Sequence, residues 1–348
     1  MSRTRSPPIP PPSPLSLQPP GAPYAEGWYV PQARAEREAL AYLRQAGSPV
    51  VLVGPYQSGK SWFLHHLVER DRKPGDTVVH ITLDHLPDEC LDSLEALLLE
   101  MAVELVDAAG LDEDVLTRAW ALPAHPLRKL SRLMERRVLP AVEGRLMLAI
   151  DRADAVLAHP YHGDFFGLLR SWADVAARPP WKRFRLLAAI STEPILLVRS
   201  SNLSPFNLSV PIRLGDFDAP QIRELARRHG LAWRAQEVDA LMAVIGGHPW
   251  LVRLTLFQAA NHDAPLAQLL KDAAGEHGIY ADHLRSRLLK LRANPELADA
   301  VRRLMEDPAS PMDYLVIHRL MRAGIIHGVR GAYQLRYPLY REFFTGRL

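Results

Sequence analysis

From about residue 27 the chain alternates between short, wholly apolar runs and longer stretches in which apolar residues recur every three or four positions. Val50-Val51-Leu52-Val53 is apolar and mostly β-branched, the composition of a strand buried on both faces. Further strands are expected over 77–83, 146–150 and 184–190, with a fifth over 210–214. Helical spacing fills the intervals. One helix is expected over 34–45, ending at Gly47, and another over 60–69. Leu91, Leu94, Leu98, Met101 and Leu105 mark a long amphipathic helix. Leu127, Leu130, Met134 and Val138 mark one that should stop near Pro140, and Phe165, Leu168, Leu169 and Trp172 mark a fifth. Strands alternating with helices imply parallel βαβ units, hence a sheet covered on both faces.

After Leu214 the strand pattern stops. Asp218-Ala219-Pro220-Gln221 has the chemistry of a helix start: an N-cap, a proline in the first turn and a capping-box glutamine. Helices are expected over 221–229, 235–245, 250–260 and 265–274, on to about 291, and again over 295–306. From Met312 a helix is followed by Ile325-Ile326-His327, a turn at Gly328 to Gly331, and Tyr333-Gln334-Leu335-Arg336, which is a winged-helix outline. Residues 1–23 are dominated by Pro and Ser, and proline lacks the N–H that helix and sheet need, so this segment reads as an extended spacer. Four segments result: a Pro-rich tail (1–23), an α/β domain (24–214), an all-α domain (215–292) and a winged-helix-like domain (293–348).

Composition narrows the class. A chain of 348 residues suggests two or three domains. The formal net charge of +3 does not by itself indicate a nucleic-acid partner. One cysteine, Cys90, excludes an internal disulfide and fits a reducing cytosol. It has no neighbouring base and reads as inert. No apolar run approaches the roughly 18 residues that span a bilayer. Arg3 and Arg5 are followed by prolines rather than an apolar segment, which is not a signal peptide. A cytoplasmic protein with no membrane partner is expected.

The strongest chemical signal is Gly54-Pro55-Tyr56-Gln57-Ser58-Gly59-Lys60-Ser61, a full match to G-x-x-x-x-G-K-[ST] between an expected strand and an expected helix. Such a loop wraps phosphate oxygens with backbone N–H groups, and its glycines permit the tight path. The following helix aims its positive end at the anion. Lys60 reaches the outer phosphates and Ser61 offers a hydroxyl to Mg²⁺. The run 146–150 ends in Asp151, the pattern of a second, Mg²⁺-directed acidic site. That reading places its strand beside the P-loop strand. Hydrolysis also needs a group to orient the attacking water. The next residue is Arg152, which cannot accept a proton at neutral pH. Asp154 and Glu193 are the nearby carboxylates that could substitute. Nucleotide binding is therefore expected ahead of turnover.

These residues resemble the AAA-like domain family of bacterial STAND-type P-loop NTPases. Besides the loop, the likeness rests on Tyr29-Val30-Pro31-Gln32, Asp151-Arg152-Ala153-Asp154, Ile190-Ser191-Thr192-Glu193-Pro194, Ser204-Pro205-Phe206-Asn207, Gly246-Gly247-His248-Pro249, Gly278-Ile279-Tyr280-Ala281-Asp282 and Tyr337-Pro338-Leu339-Tyr340-Arg341. The resemblance implies a P-loop NTPase parallel sheet covered by helices, then an all-α lid and a C-terminal winged helix. It implies ATP rather than GTP, held between the sheet domain and the lid. Val30 and Pro31 would line the adenine pocket, and Gly247 and Pro249 would pack on the base. Trp62 is counted with the loop as a nucleotide-binding candidate, although with Phe63, Leu64 and Leu67 it reads as core. Ser191 or Thr192 would sense the outermost phosphate. The family's usual pair is Asp-Glu where this chain has Asp151-Arg152, and that departure bears on turnover. Members usually carry fused effector domains. This chain implies a separate effector protein instead, leaves self-association open, and disfavours nucleic acid.

Overall fold

The computed structural model describes residues 17–191, 210–262, 264–329 and 332–348. Two compact units emerge. One comprises residues 1–30, 216–290 and 337–348, and the other residues 31–215 and 291–336.

The second unit is built on a five-stranded parallel sheet: β1 (Val50–Val53), β2 (Thr77–Thr82), β3 (Leu146–Asp151), β4 (Phe184–Ile190) and β5 (Ile212–Arg213). Every residue of β1 and β3 is buried, as an inner parallel strand requires. Alternate residues serve opposite faces. Val51, Val53, Leu148, Ile150, Ala188 and Ile190 join one continuous core with Leu98, Met101 and Leu105 of the helix Leu94–Ala108 and with Phe165 and Trp172 of His162–Asp174. Helices Ala33–Leu43 and Lys60–Asp71 bury Ala39, Leu43, Phe63, Leu64 and Leu67.

The strand order is β2-β3-β4-β1-β5, which corrects one expectation. The strand ending in Asp151 does not lie beside the P-loop strand, because β4 is inserted between them and pairs with both. Strand adjacency depends on long-range pairing, and apolar periodicity carries no record of it. Asp151 still reaches the C-terminal edge: it pairs with Thr82 at the end of β2, while Val53 pairs with Ile190 at the end of β4.

Helix boundaries differ from expectation where caps decide them. The amphipathic helix expected from Leu91 begins at Leu94, because the Ser93 hydroxyl accepts from the Ala96 N–H at 3.1 Å. The helix expected to stop near Pro140 does so, ending at Ala141 after a widened turn over Met134–Val138. A short helix, Glu113–Trp120, went unpredicted because it buries no residue fully. The unit also contains helices Pro295–Glu306 and Tyr314–Arg322 followed by the antiparallel hairpin β6 (Ile326–Val329) and β7 (Ala332–Leu335).

The first unit is helical. Its helix Ala219–Arg228 starts with the expected capping box, the Asp218 carboxylate accepting from the Gln221 N–H at 2.8 Å and the Gln221 side chain from the Asp218 N–H at 2.9 Å. Helices Ala235–Ile245, Pro249–Asn261 and Pro338–Phe344 belong to the same unit. The segment before Val30 is anchored there: Arg228 donates to the carbonyls of Gly27 and Tyr29 at 2.9 and 2.8 Å, and Trp28 packs on His229. Among the described residues no helix is long and apolar enough to cross a membrane.

Candidate functional site

The loop Gly54–Ser61 leaves the buried end of β1 and runs into the helix Lys60–Asp71. A buried strand, a tight loop and a helix start are what the eight-residue motif needs, since the N–H groups of the first helical turn have no partner within the helix. Gly59 holds the left-handed conformation at φ 88° immediately before the helix. Gln57 adopts φ 65°, a conformation uncommon for a residue with a side chain. A Cβ added at Gly54 would stand 2.7 Å from the Ser58 Oγ, so that position has no room for a larger residue.

Lys60 is buried at 5% exposure, and its ammonium donates to the carbonyls of Gly54 and Pro55 at 2.9 and 2.8 Å. The cation is thereby held inside the curl of the loop. The buried hydroxyls of Ser58 and Ser191 have no hydrogen-bond partner among the described residues. Orphaned buried hydroxyls cost free energy, and an oxygen-rich anion in the curl would satisfy that of Ser58. The donor set therefore fits the phosphates of a nucleotide. Ser61 and Trp62 follow, both half-buried, while Phe63, Leu64 and Leu67 are core.

At the end of β3, Asp151 is buried at 7% exposure and accepts from the Arg152 N–H at 2.8 Å. Arg152 turns the chain in the left-handed conformation at φ 56°. Its guanidinium pairs with Asp84 at 2.9 Å and lies over the Tyr56 ring, 4.5 Å from the centroid. Burial acts to lower its pKa, but Tyr56, Asp84 and Asp154 outweigh that and raise it, so the charge is permanent. Asp154 accepts from the Ser191 N–H at 3.0 Å and is 3.5 Å from Arg322. The link from Asp154 to the helix Tyr314–Arg322 was not read from sequence, where the two residues are 168 positions apart.

The other expected site residues are distributed as follows. Val30 is buried and Pro31 exposed. Gly247 and Pro249 belong, with Val30, to the first unit, and the loop Gly54–Ser61 to the second. Gly247 is required by a close approach: its carbonyl accepts from the Phe217 N–H at 2.8 Å, and a Cβ there would collide with the Phe217 backbone. Pro249 opens the helix Pro249–Asn261, and His248 before it is buried. Thr192 and Glu193 lie outside the described residues. Among the described residues no three His, Cys, Asp or Glu side chains gather as a metal site. Ser61 and Asp151 are the residues that would hold Mg²⁺, together with phosphate oxygens.

Loop, sheet and acidic strand end define a P-loop NTPase fold. The chain belongs to the AAA-like domain family, whose model matches residues 20–346. It is similar to a Walker-type ATPase of Pyrococcus abyssi, at 13% identity and TM-score 0.68, over 95% of this chain and 99% of that one. It is also similar to the ORC2 protein of Aeropyrum pernix, solved as ADPNP–ADP complexes, at 14% identity and TM-score 0.53, over 93% and 97% of the two chains. A STAND protein of Pyrococcus horikoshii with a tetratricopeptide repeat sensor gives 16% identity and TM-score 0.45, over 94% of this chain and 44% of that one. No curated protein matches. The expectation that disfavours nucleic acid finds no support in these comparisons. On the helix Tyr314–Arg322, Arg319 is engaged with Glu296 and Asn294, and Arg322 with Asp154.

Proposed function

We propose that this protein binds ATP with Mg²⁺ at the loop Gly54–Ser61 and acts as a nucleotide-dependent conformational switch. The observation that carries the reading is the curl around Lys60, whose ammonium is already held at the loop carbonyls while the buried hydroxyl of Ser58 has no partner among the described residues. Lys60 would exchange those carbonyls for phosphate oxygens. Ser61 and Asp151 would hold Mg²⁺, which neutralises charge on the outer phosphates. Val30, Pro31, Gly247, Pro249 and Thr192 would complete recognition of base and terminal phosphate, as the family resemblance implies. A ligand shifts a conformational equilibrium only by binding one state better than another, and ATP and ADP differ by the one phosphate such a switch would read. The setting we infer is cytoplasmic signalling or conflict.

Calorimetric titration with Mg²⁺-ATP tests the reading. Binding is expected in the wild type and lost in Lys60→Ala, with thermal stability retained. Absence of heat for any purine triphosphate with the wild-type protein rejects it.

A second reading, a scaffold that binds ATP without hydrolysing it, is favoured by two observations. Arg152 occupies the position of the usual acidic residue, and the Asp154 carboxylate is engaged by the Ser191 N–H. Phosphate release in the wild type that is absent from Lys60→Ala supports an ATPase. Tight ATP binding without release supports the scaffold.

A further inference from the structure

Arg152 brings to the site a permanent charge that nucleotide binding at the loop leaves unassigned. It occupies a demanding position. The backbone is left-handed at φ 56°, a conformation that a residue with a Cβ adopts at a cost. Its N–H is fixed to the Asp151 carboxylate at 2.8 Å, so the side chain starts from the acidic end of β3. The guanidinium then leaves β3 in two directions at once. Its face covers the ring of Tyr56, the third residue of the phosphate-binding loop, and one N–H group reaches Asp84 just beyond β2 at 2.9 Å.

Neither contact behaves as a fixture of the core. The Arg152 and Asp84 side chains are 27% and 32% exposed, so water reaches both and the pair is worth little on its own. A partly exposed ion pair exchanges one anion for another at small cost. The ring contact is different in kind. A guanidinium can slide or rotate over an aromatic face while staying attracted to it, because the attraction is to the ring's quadrupole. Tyr56, which also hydrogen-bonds the guanidinium, therefore holds Arg152 beside the loop while its partners exchange.

The charges around the loop point to the exchange. Asp151 at the end of β3, with Asp84 and Asp154 in the segments after β2 and β3, places three carboxylates at this edge of the sheet. Lys60 lies within the curl, where it meets the phosphates the loop itself encloses. Arg152 lies over Tyr56, the loop's third residue, with its backbone N–H on Asp151. A guanidinium there meets the part of the ligand that projects beyond the loop, and its planar fork matches a phosphate as well as a carboxylate.

We propose that Arg152 is the residue that distinguishes nucleoside triphosphate from diphosphate: it rests on Asp84 and transfers to the terminal phosphate, turning on the Tyr56 ring. Asp84 is the resting counter-ion that sets how strongly the transfer is opposed. This inference rests on the nucleotide reading and assigns it a mechanism of discrimination. Arg152 stabilises the bound triphosphate and does not orient water, so its role is independent of turnover.

The experiment is calorimetric titration of the full chain with Mg²⁺-ATP and Mg²⁺-ADP, each variant giving a ratio of two dissociation constants. Arg152→Ala is expected to weaken ATP by about tenfold, the effect of one charge-assisted hydrogen bond, while ADP changes by less than about twofold. Arg152→Lys should restore part of the ratio. Asp84→Asn, which removes the competing anion, should strengthen ATP severalfold and leave ADP unchanged. A merely structural arginine would shift both nucleotides together, so equal weakening of ATP and ADP in Arg152→Ala overturns the proposal. Weaker ATP binding in Asp84→Asn also overturns it. A wild-type protein that binds neither nucleotide overturns the nucleotide reading and this inference together. Binding with a ratio insensitive to residue 152 overturns this inference alone.

Discussion

Gly324 lies against Pro55: a Cβ added at residue 324 would stand 2.9 Å from the Pro55 Cβ, inside the loop that the motif defines. Two residues earlier, Arg322 is 3.5 Å from Asp154, on the loop after β3. The end of the helix Tyr314–Arg322 thus meets both phosphate-site loops of the same unit. Anything that displaces this helix end moves the loop around Lys60.

Gly324→Ala should therefore weaken nucleotide binding from a position 269 residues beyond Pro55. Gly324 has φ 69°, so a Cβ carries about 1–2 kcal/mol of backbone strain before any contact is counted. The contact then forces Pro55 or the helix end to shift. We expect a lower unfolding midpoint and an ATP dissociation constant raised severalfold. Gly346→Ala is the control: its φ is 73°, but a Cβ there meets nothing within 4 Å. That variant should lose stability and keep its affinity. Equal affinities in the two variants would show that the Pro55 contact has no bearing on the site.

Asp154, a candidate general base, also carries a structural load. It accepts from the Ser191 N–H at the end of β4 and faces Arg322. Asp154→Asn and Arg322→Ala should each lower the unfolding midpoint by a few degrees. The double variant should lose no more than the worse single one, because both remove the same link. Additive losses in thermal melts would mean that the two residues act separately. A change in phosphate release with stability and affinity unaltered would return Asp154 to the role of base.

The parts of this site that are local in sequence were the legible ones. Eight consecutive residues define the loop, and the apolar run before it and the helix after it can be read from a window of twenty. The capping box at Asp218 and Gln221 is equally local. What stayed hidden is whatever long-range pairing decides. The insertion of β4 between β1 and β3 leaves no trace in either strand's composition. The neighbours of Arg152 come from β2 and from the loop, so its pairing with Asp84 could not be read from the Asp151-Arg152-Ala153-Asp154 segment. Asp154 was noted as a carboxylate near the site, but its partner Arg322 sits in a segment that looked like a separate domain. Periodicity also failed where no residue is fully buried, as in Glu113–Trp120.

At the opposite end of the sheet, Arg145 should prove far more important to folding than the site arginines. It donates to both Asp76 oxygens, the Asp71 carboxylate and the Asp71 carbonyl, at 2.6 to 3.1 Å. Burial alone would raise the Asp76 pKa, but hydrogen bonds from Arg145 and Lys73 lower it. Arg145→Met would leave Asp71 and Asp76, at 10% and 3% side-chain exposure, without their cation. Removing one partner of a buried ionic group typically costs about 3–5 kcal/mol. Chemical denaturation should show a loss of that order, and a loss under about 1 kcal/mol would mean the network is not stabilising.

The first unit should weaken as the solution is acidified from neutral pH, and two buried histidines set the window. His283 shares a hydrogen bond with the Tyr340 hydroxyl at 2.8 Å, and burial, then Arg287 and Lys290, push its pKa down to about 3. His229 is pushed down to about 4, by burial first and to a lesser extent by Arg253. The ordinary value is 6.5, so between that pH and the folded values the unfolded chain binds protons that the folded chain does not. Stability that depends on uptake in the unfolded state falls with pH. These two groups therefore contribute fully above pH 6.5, and their contribution is lost progressively down to about 4 for His229 and about 3 for His283. The maximum slope is about 1.4 kcal/mol per pH unit for each histidine. His283→Gln removes one titrating group and can still hydrogen-bond Tyr340. Denaturation midpoints of this variant, followed from pH 7 to pH 4, should fall less steeply than those of the wild type by up to that amount. Parallel curves would mean that His283 takes up its proton alike in the folded and the unfolded chain, and that its buried contact with Tyr340 tolerates the charge.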